Sequence, residues 1–80
     1  MTETTKRKVF ELEELLGFPI QEVLSTARNG YWLDYHKVST RIGIPFTGFE
    51  WWASLKKKFG DSIETLMREL ETVFIDWRQS

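Results

Sequence analysis

The chain has 80 residues, a net charge of −1, no cysteine and a single histidine, and aromatic residues make up 15% of it. This length fits one domain, and the missing cysteines exclude a disulfide framework and a cysteine-ligated zinc site. No apolar run approaches the length of a membrane span. We therefore expect a cytoplasmic protein without membrane contact, metal or other cofactor, with a disordered tail at 1–5 and one helical domain at 6–80.

Charge is divided unevenly along the chain. Residues 9–27 carry four acids and no cation, residues 28–58 carry six cations against two acids, and residues 61–80 carry five acids against two cations. A basic middle is the electrostatic requirement for a polyanionic partner, while acidic flanks oppose indiscriminate binding to nucleic acid.

Two helices are predicted in the first third of the chain. Apolar residues at helical spacing predict a helix at about 6–16, and Gly17 ends it because glycine accepts a left-handed conformation. Pro19 suits a first helical turn, so the apolar residues that follow it predict a second helix at about 19–28. The apolar positions of these two helices are Val9, Phe10, Leu12, Leu15, Leu16, Ile20, Val23, Leu24 and Ala27.

The next segment is ambiguous between helix and strand. An Asn-Gly turn at 29–30 precedes a run rich in aromatic and β-branched residues, a composition that favours a strand. Asp34 is suited to cap a helix with its carboxylate. We predict an extended segment at 30–33 and a third helix at about 35–42, with a short β-hairpin near 30–38 as the alternative.

A fourth helix is predicted at about 48–59. Gly43 breaks the third helix, and Pro45 keeps the residue before it out of helical geometry. Thr47 and Glu50 have the spacing of a capping box, in which each side chain bonds a free N–H group at the start of the helix.

Two adjacent tryptophans, Trp51 and Trp52, lie about 100° apart on this fourth helix. We place Trp52 in the core and Trp51 at the rim of the core. At the rim, the Trp51 ring either lies flat over the core edge or is an exposed anchor for a partner, because exposed tryptophan is enriched at binding hot spots. The other residues predicted to face the core are Phe49, Leu55 and Phe59.

The fifth predicted helix, at about 62–78, has one apolar face and one charged face. Asp61 and Glu64 have the spacing of a second capping box at its start. The pattern is typical of a helix that packs on a bundle core, with a homodimerisation helix as the alternative. The fold class is therefore all-α, a compact bundle of four to five helices. The apolar face comprises Ile63, Leu66, Met67, Leu70, Val73, Phe74 and Trp77.

Side chains with catalytic chemistry form no recognisable active site. Glu11, Glu13 and Glu14 point to different sides of the first helix. Asp34 and His36 are two residues apart, which on a helix turns them away from each other. The serines lie in no nucleophile-elbow pattern, and no glycine loop has the residues of a phosphate site. We predict that the chain is not an enzyme.

The segment Val38-Ser39-Thr40-Arg41-Ile42-Gly43-Ile44-Pro45 resembles the first helix and turn of the helix-turn-helix DNA-binding family, whose pattern is apolar-small-x-x-apolar-Gly-apolar-Pro/Ser. Ser39 is small where two helices cross, and Gly43 turns with positive φ. Phe49 and Trp52 match the inward positions of the recognition helix. The resemblance covers about 35–55. It implies a helix-turn-helix corner and a small DNA-binding transcriptional regulator of bacterial or phage type.

The resemblance also implies which residues face double-stranded DNA. Thr47 at the helix N-terminus would bond a phosphate, and Glu50 would accept a hydrogen bond from a cytosine amino group. The residues implied to face DNA are Phe46, Thr47, Gly48, Glu50, Trp51, Ser54 and Lys57, and the cations implied to contact phosphates are Lys37, Arg41, Lys56, Lys57 and Lys58.

A second function class fits the same segment. The implied reading face has no Arg or Gln, and Trp51 occupies a position that is usually polar in the family. The alternative is a non-enzymatic protein-binding module, such as a phage-type inhibitor or adaptor. Its anchor would be an exposed aromatic patch of Phe46 and Trp51 with a rim of cations.

Overall fold

The structure, a computed structural model, describes residues 3–28 and 30–71. This part of the chain is mostly helical with one small antiparallel sheet, so it is not the all-α bundle that the sequence predicts. In chain order the elements are α1 (Glu3–Leu16), a 3₁₀ turn (Ile20–Val23), β1 (Leu24–Ala27), β2 (Gly30–Leu33), α2 (Tyr35–Ile42), α3 (Phe49–Phe59) and α4 (Ser62–Leu70).

The second predicted helix, at 19–28, is wrong. Ile20–Val23 forms a 3₁₀ turn, and the chain then pairs as a hairpin with Leu24 opposite Leu33. Both leucines are buried, and their cross-strand contact outweighs the helical spacing of the apolar residues before it. A short hairpin, the predicted alternative near 30–38, is present, but it lies earlier in the chain. Its strands are β1 and β2, and α2 follows them.

Asp34 joins the hairpin to α2 and caps that helix, as predicted. Its carboxylate accepts the backbone N–H groups of His36 at 3.0 Å and Lys37 at 3.4 Å, and the hydroxyl group of Ser25 at 2.7 Å. Burial alone would raise the pKa of Asp34, but these hydrogen bonds outweigh it and hold the pKa below its ordinary value. The predicted bounds of the third helix are confirmed, and Gly43 ends it with a φ of 80°.

The hydrophobic core is one cluster, to which all four helices, the 3₁₀ turn and both strands contribute. Helix α4 packs along both α1 and α3, and α2 packs against the 3₁₀ turn. Helix α1 begins at Glu3, so residues 3–5 of the predicted tail are helical. Within its predicted apolar stripe, Phe10 is exposed and Leu15 is half-buried. The buried core residues are Val9, Leu12, Leu16, Phe18, Ile20, Val23, Leu24, Leu33, Val38, Trp51, Leu55, Ile63, Leu66, Met67 and Leu70.

The capping box predicted for the start of α3 is wrong. The residue before the helix is Gly48, with a φ of 71°, and no side chain of Thr47 or Glu50 caps the first turn. Glycine accepts the positive φ at this capping position, but it has no side chain that could accept a hydrogen bond from the first turn.

The capping box predicted for α4 is also wrong. Asp61 has helical dihedral angles, φ −66° and ψ −27°, and its side chain accepts no capping hydrogen bond. A capping residue normally has extended backbone, which aims its side chain back at the first turn. Glu64 is used differently, because it forms ion pairs with Lys56 of α3 and Arg68 of α4.

Helix α4 uses its apolar face for the core, which favours the bundle interpretation over the dimerisation interpretation. The predicted apolar positions Val73, Phe74 and Trp77 lie outside the described residues. Across residues 3–28 and 30–71, no helix has both the length and the apolar content that crossing a membrane requires. The four predicted positions that the structure describes are all buried, namely Ile63, Leu66, Met67 and Leu70.

Candidate partner-binding surface on helix α3

The two tryptophans of α3 face the opposite way from the prediction. Trp51 is 0% exposed and belongs to the core, Trp52 is half-buried, and Phe49 is 90% exposed. The reason is helical phase: Trp51 and Leu55 are four residues apart and share one face, whereas Phe49 lies about 200° from Trp51. The helix-turn-helix resemblance implies that Phe49 and Trp52 face inward. This is wrong for Phe49, and Trp52 is only half-buried.

An aromatic cluster at the α2–α3 corner fixes this phase. The Trp51 ring lies 5.1 Å from the ring of Tyr35 on α2 and 4.9 Å from that of Phe46 in the connecting loop. Trp52 contacts the same tyrosine edge-on, at 5.4 Å. On its other side, Phe46 contacts the ring of His36 at 4.6 Å and keeps 38% of its surface exposed. The loop thus folds back onto α2 and pulls Trp51 inward.

Burial of Trp51 excludes it as an exposed anchor for DNA or protein. Its indole Nε1 has no hydrogen-bond partner in the described part of the chain. Of the predicted patch of Phe46 and Trp51, only Phe46 is exposed to a partner. Phe49, which is predicted to face the core, is more exposed than Phe46.

A shallow pocket of about 300 Å³ lies beside Phe49, between α3 and α4. Its apolar wall is formed by the exposed ring of Phe49 and the half-buried ring of Trp52. The guanidinium group of Arg68 lies over the Trp52 ring, 4.6 Å from its centre, in a cation–π contact. We call this region the α3 surface, and it is lined by Phe49, Trp52, Ala53, Lys56, Glu64 and Arg68.

Charges in the α3 surface are organised around Glu64. Its carboxylate lies 2.6 Å from the Lys56 ammonium nitrogen and 3.2 Å from the Arg68 guanidinium nitrogen Nε. The hydrogen bond from Lys56 is the largest influence on the pKa of Glu64, which lies below its ordinary value. One carboxylate between two cations leaves the pocket with a surplus of positive charge.

Most of the cations predicted to contact DNA phosphates are engaged within the chain. Arg41 pairs with Glu22 at 3.1 Å and stacks over a phenylalanine ring, and Lys56 pairs as described above. The ammonium groups of Lys37 and Lys58 donate to backbone carbonyl oxygens, at 2.8 and 3.2 Å. Among the described residues, the Lys57 ammonium group forms no ion pair or hydrogen bond.

Three polar residues of the predicted site, Thr47, Glu50 and Ser54, lie at the surface. None of their side chains forms a hydrogen bond within residues 3–28 and 30–71. Sequence reasoning missed Arg68 and Glu64, because the contact between α3 and α4 leaves no signal in either helix alone. The exposure of Phe49 has a signal in the sequence, because Trp51 is spaced from Leu55 and Phe59 as regularly as Phe49 and Trp52 are.

No group of three or more potential metal ligands occurs among the described residues. Comparison of the chain with protein families, with curated proteins and with solved structures finds no match in any of the three.

Proposed function

We propose that the chain is a non-enzymatic protein-binding module that uses the α3 surface. The observation that carries the proposal is the exposure of Phe49, a large apolar ring in the first turn of a helix whose opposite face is locked into the core. An exposed ring of this size adds nothing to folding, whereas aromatic and arginine side chains are enriched where proteins bind each other.

The chemistry of the α3 surface defines its partner. Phe49 and Trp52 offer an apolar centre, and Arg68 is held over the Trp52 ring and therefore needs little further ordering on binding. Lys56 and Lys57 add positive charge at the edge. We expect the partner to present an aliphatic or aromatic side chain flanked by carboxylates, since rim charges of opposite sign speed association and suppress wrong partners.

Affinity purification from the native host tests this proposal. The tagged chain is compared with Phe49→Ala and with Trp32→Ala, a matched control that removes another exposed aromatic ring, on β2. We expect Phe49→Ala to lose its partner and Trp32→Ala to retain it, with both variants folded as judged by circular dichroism. A partner that is retained in full by Phe49→Ala contradicts the proposal.

A second candidate function is sequence-specific DNA binding by a small helix-turn-helix regulator. It is supported by α2 and by the positive φ of Gly43, both as the family resemblance implies, and by the free ammonium group of Lys57 on α3. It is weaker than the first candidate, because Arg41, Lys37 and other expected phosphate contacts are engaged inside the chain.

Fluorescence anisotropy with a labelled mixture of duplexes separates the two candidates. At about 50 mM salt even non-specific DNA binders associate measurably. If the chain binds DNA, its affinity for the duplexes should fall steeply as the salt concentration rises. At a given salt concentration, the affinity of Lys57→Ala should be lower than that of the wild type. Absence of any salt-dependent binding at that concentration removes the second candidate and leaves the first unaffected.

A further inference from the structure

A second exposed aromatic ring lies far along the chain from the α3 surface, on α1. Phe10 is 61% exposed near the middle of this helix of 14 residues. Charges are arranged asymmetrically around it: Lys6 and Arg7 precede it, and Glu13 and Glu14 follow it. The outward face of α1 is thus basic in its first half, apolar at its centre and acidic in its second half.

Helical geometry makes this face complementary to itself. Each residue advances about 1.5 Å along the axis and about 100° around it. Arg7 lies three residues before Phe10 and Glu14 four residues after it, so they are displaced by about 4.5 Å and about 6 Å in opposite directions along the axis. Both lie on the same side of Phe10, at about 60° and about 40° around the helix. A two-fold axis that lies between two facing helices at the level of Phe10, perpendicular to them, reverses the direction along the helix and keeps the side. It therefore brings Arg7 of one copy opposite Glu14 of the other, and Lys6 opposite Glu13 on the other side of the contact.

These charges are available for such a contact. Arg7 and Glu14 are exposed, and neither side chain forms an ion pair within residues 3–28 and 30–71. By contrast, Lys8 on the same helix is already paired with Glu69 of α4. The pair of Lys6 and Glu13 contributes less, because the Glu13 carboxylate accepts the backbone N–H of residue 20.

An apolar groove lies beside Phe10 and extends the apolar surface that a second copy would cover. It has a volume of about 560 Å³ and runs between α1 and α4. Its floor is apolar, and one of its walls carries carboxylates that belong to α1. The residues that line the groove are Phe10, Glu11, Glu14, Leu15, Ser62, Thr65 and Leu66.

We propose that the chain forms a two-fold homodimer in which two α1 helices pack antiparallel. The two Phe10 rings meet at the axis, with the groove of each copy beside them, and two symmetry-related pairs join Arg7 to Glu14. A two-fold contact uses the same patch on both copies and closes on itself, so it yields dimers and no filaments. The contact leaves the α3 surface out of the interface, so it is independent of the proposed function.

Charge reversal tests the register of the dimer by sedimentation velocity on the full chain. Arg7→Glu places two like-charge pairs in the dimer, and Glu14→Arg does the same, so each variant alone should dimerise about tenfold more weakly than the wild type. An equimolar mixture of the two variants restores both attractive pairs in a heterodimer. The double variant Arg7→Glu/Glu14→Arg restores them in a homodimer. We expect both to recover the wild-type dissociation constant to within about threefold.

Loading concentrations from about 1 µM to about 1 mM cover the range of weak specific dimers. Phe10→Ser should weaken the wild-type dimer further, while circular dichroism confirms that each variant is folded. A wild-type chain that is monomeric throughout this range overturns the proposal. A dimer that is indifferent to either charge reversal, or one that the mixture fails to restore, overturns it as well.

Discussion

Asp34 is the residue whose removal should most clearly expose how the hairpin and α2 depend on each other. One of its carboxylate oxygens caps α2, and the other accepts the Ser25 hydroxyl group of β1. Asp34→Ala removes both interactions. The lost cap costs about 1 kcal/mol, and the lost hydrogen bond between Ser25 and a charged acceptor costs about another 1.5 kcal/mol at this partly exposed site.

The coupling energy between Ser25 and Asp34 shows whether the two side chains stabilise the fold through one shared interaction or separately. Ser25→Ala alone should cost about 1 kcal/mol, because it leaves the cap intact. In the double variant the bond between the two side chains can be lost only once. The double variant should therefore be less destabilised than the sum of the single variants, by about 1 kcal/mol.

Urea unfolding followed by circular dichroism measures all four proteins. A domain of this size has a free energy of unfolding on the order of 4–12 kcal/mol, so each variant should retain a measurable folded baseline. Strictly additive effects of Ser25→Ala and Asp34→Ala would refute the reasoning, because they would mean that the two side chains do not interact in solution.

The pH dependence of the same residue has a definite sign. The folded-state pKa of Asp34 lies below its ordinary value, so the stabilisation is present at neutral pH and is lost as pH falls through the folded-state pKa. Asp34→Asn keeps a capping group but has no charge to lose. Between neutral pH and pH values below about 4, we expect the free energy of unfolding to fall less in Asp34→Asn than in the wild type.

Two further predictions concern the aromatic residues. In thermal and urea unfolding, Trp51→Ala should lower the free energy of unfolding by about 3–5 kcal/mol, because its ring is buried. Phe49→Ala should change it by no more than about 0.5 kcal/mol, because its ring is exposed. Equal effects of the two variants would contradict this difference in burial. Burial and a hydrogen bond to Glu71 raise the pKa of Tyr35. The free energy of unfolding should therefore decline as pH rises above about 10, where the phenol of the unfolded chain ionises. Tyr35→Phe should remove part of that decline.

Elements with strong local signals were predictable from the sequence. Helix α2 has a capping carboxylate at Asp34 and a left-handed glycine at Gly43, and these fix its two ends without any help from the rest of the chain. The buried stripe of α4 follows from spacing alone. By contrast, β1 is four residues long, and its apolar residues fit a helical stripe as well as a strand. Only its pairing with β2 decides the matter, and pairing is not visible locally.

The candidate site was predictable in place but not in orientation. Leu55 and Phe59 fit two stripes on α3 equally well, the predicted one through Phe49 and Trp52 and the observed one through Trp51. The choice between them is made by Tyr35, which lies on another helix and contacts Trp51 in the folded chain. The ion pairs that reshape the electrostatics of the site likewise join residues from different elements, so counting charges along the sequence overstated the free positive charge.

The orientation of α3 bears on function because it has a cost. Burying Trp51 leaves its indole N–H without a partner in the described part of the chain, and an unpaired buried donor costs about 1–3 kcal/mol. The same orientation exposes Phe49, whose burial would contribute about 1.5–3 kcal/mol. Folding stability alone would favour a polar residue at position 49 and a phenylalanine at position 51. The chain instead exposes Phe49 and buries Trp51 with an unpaired N–H group. A partner that covers Phe49 and orders the cations beside it would give the exposure of Phe49 a physical reason.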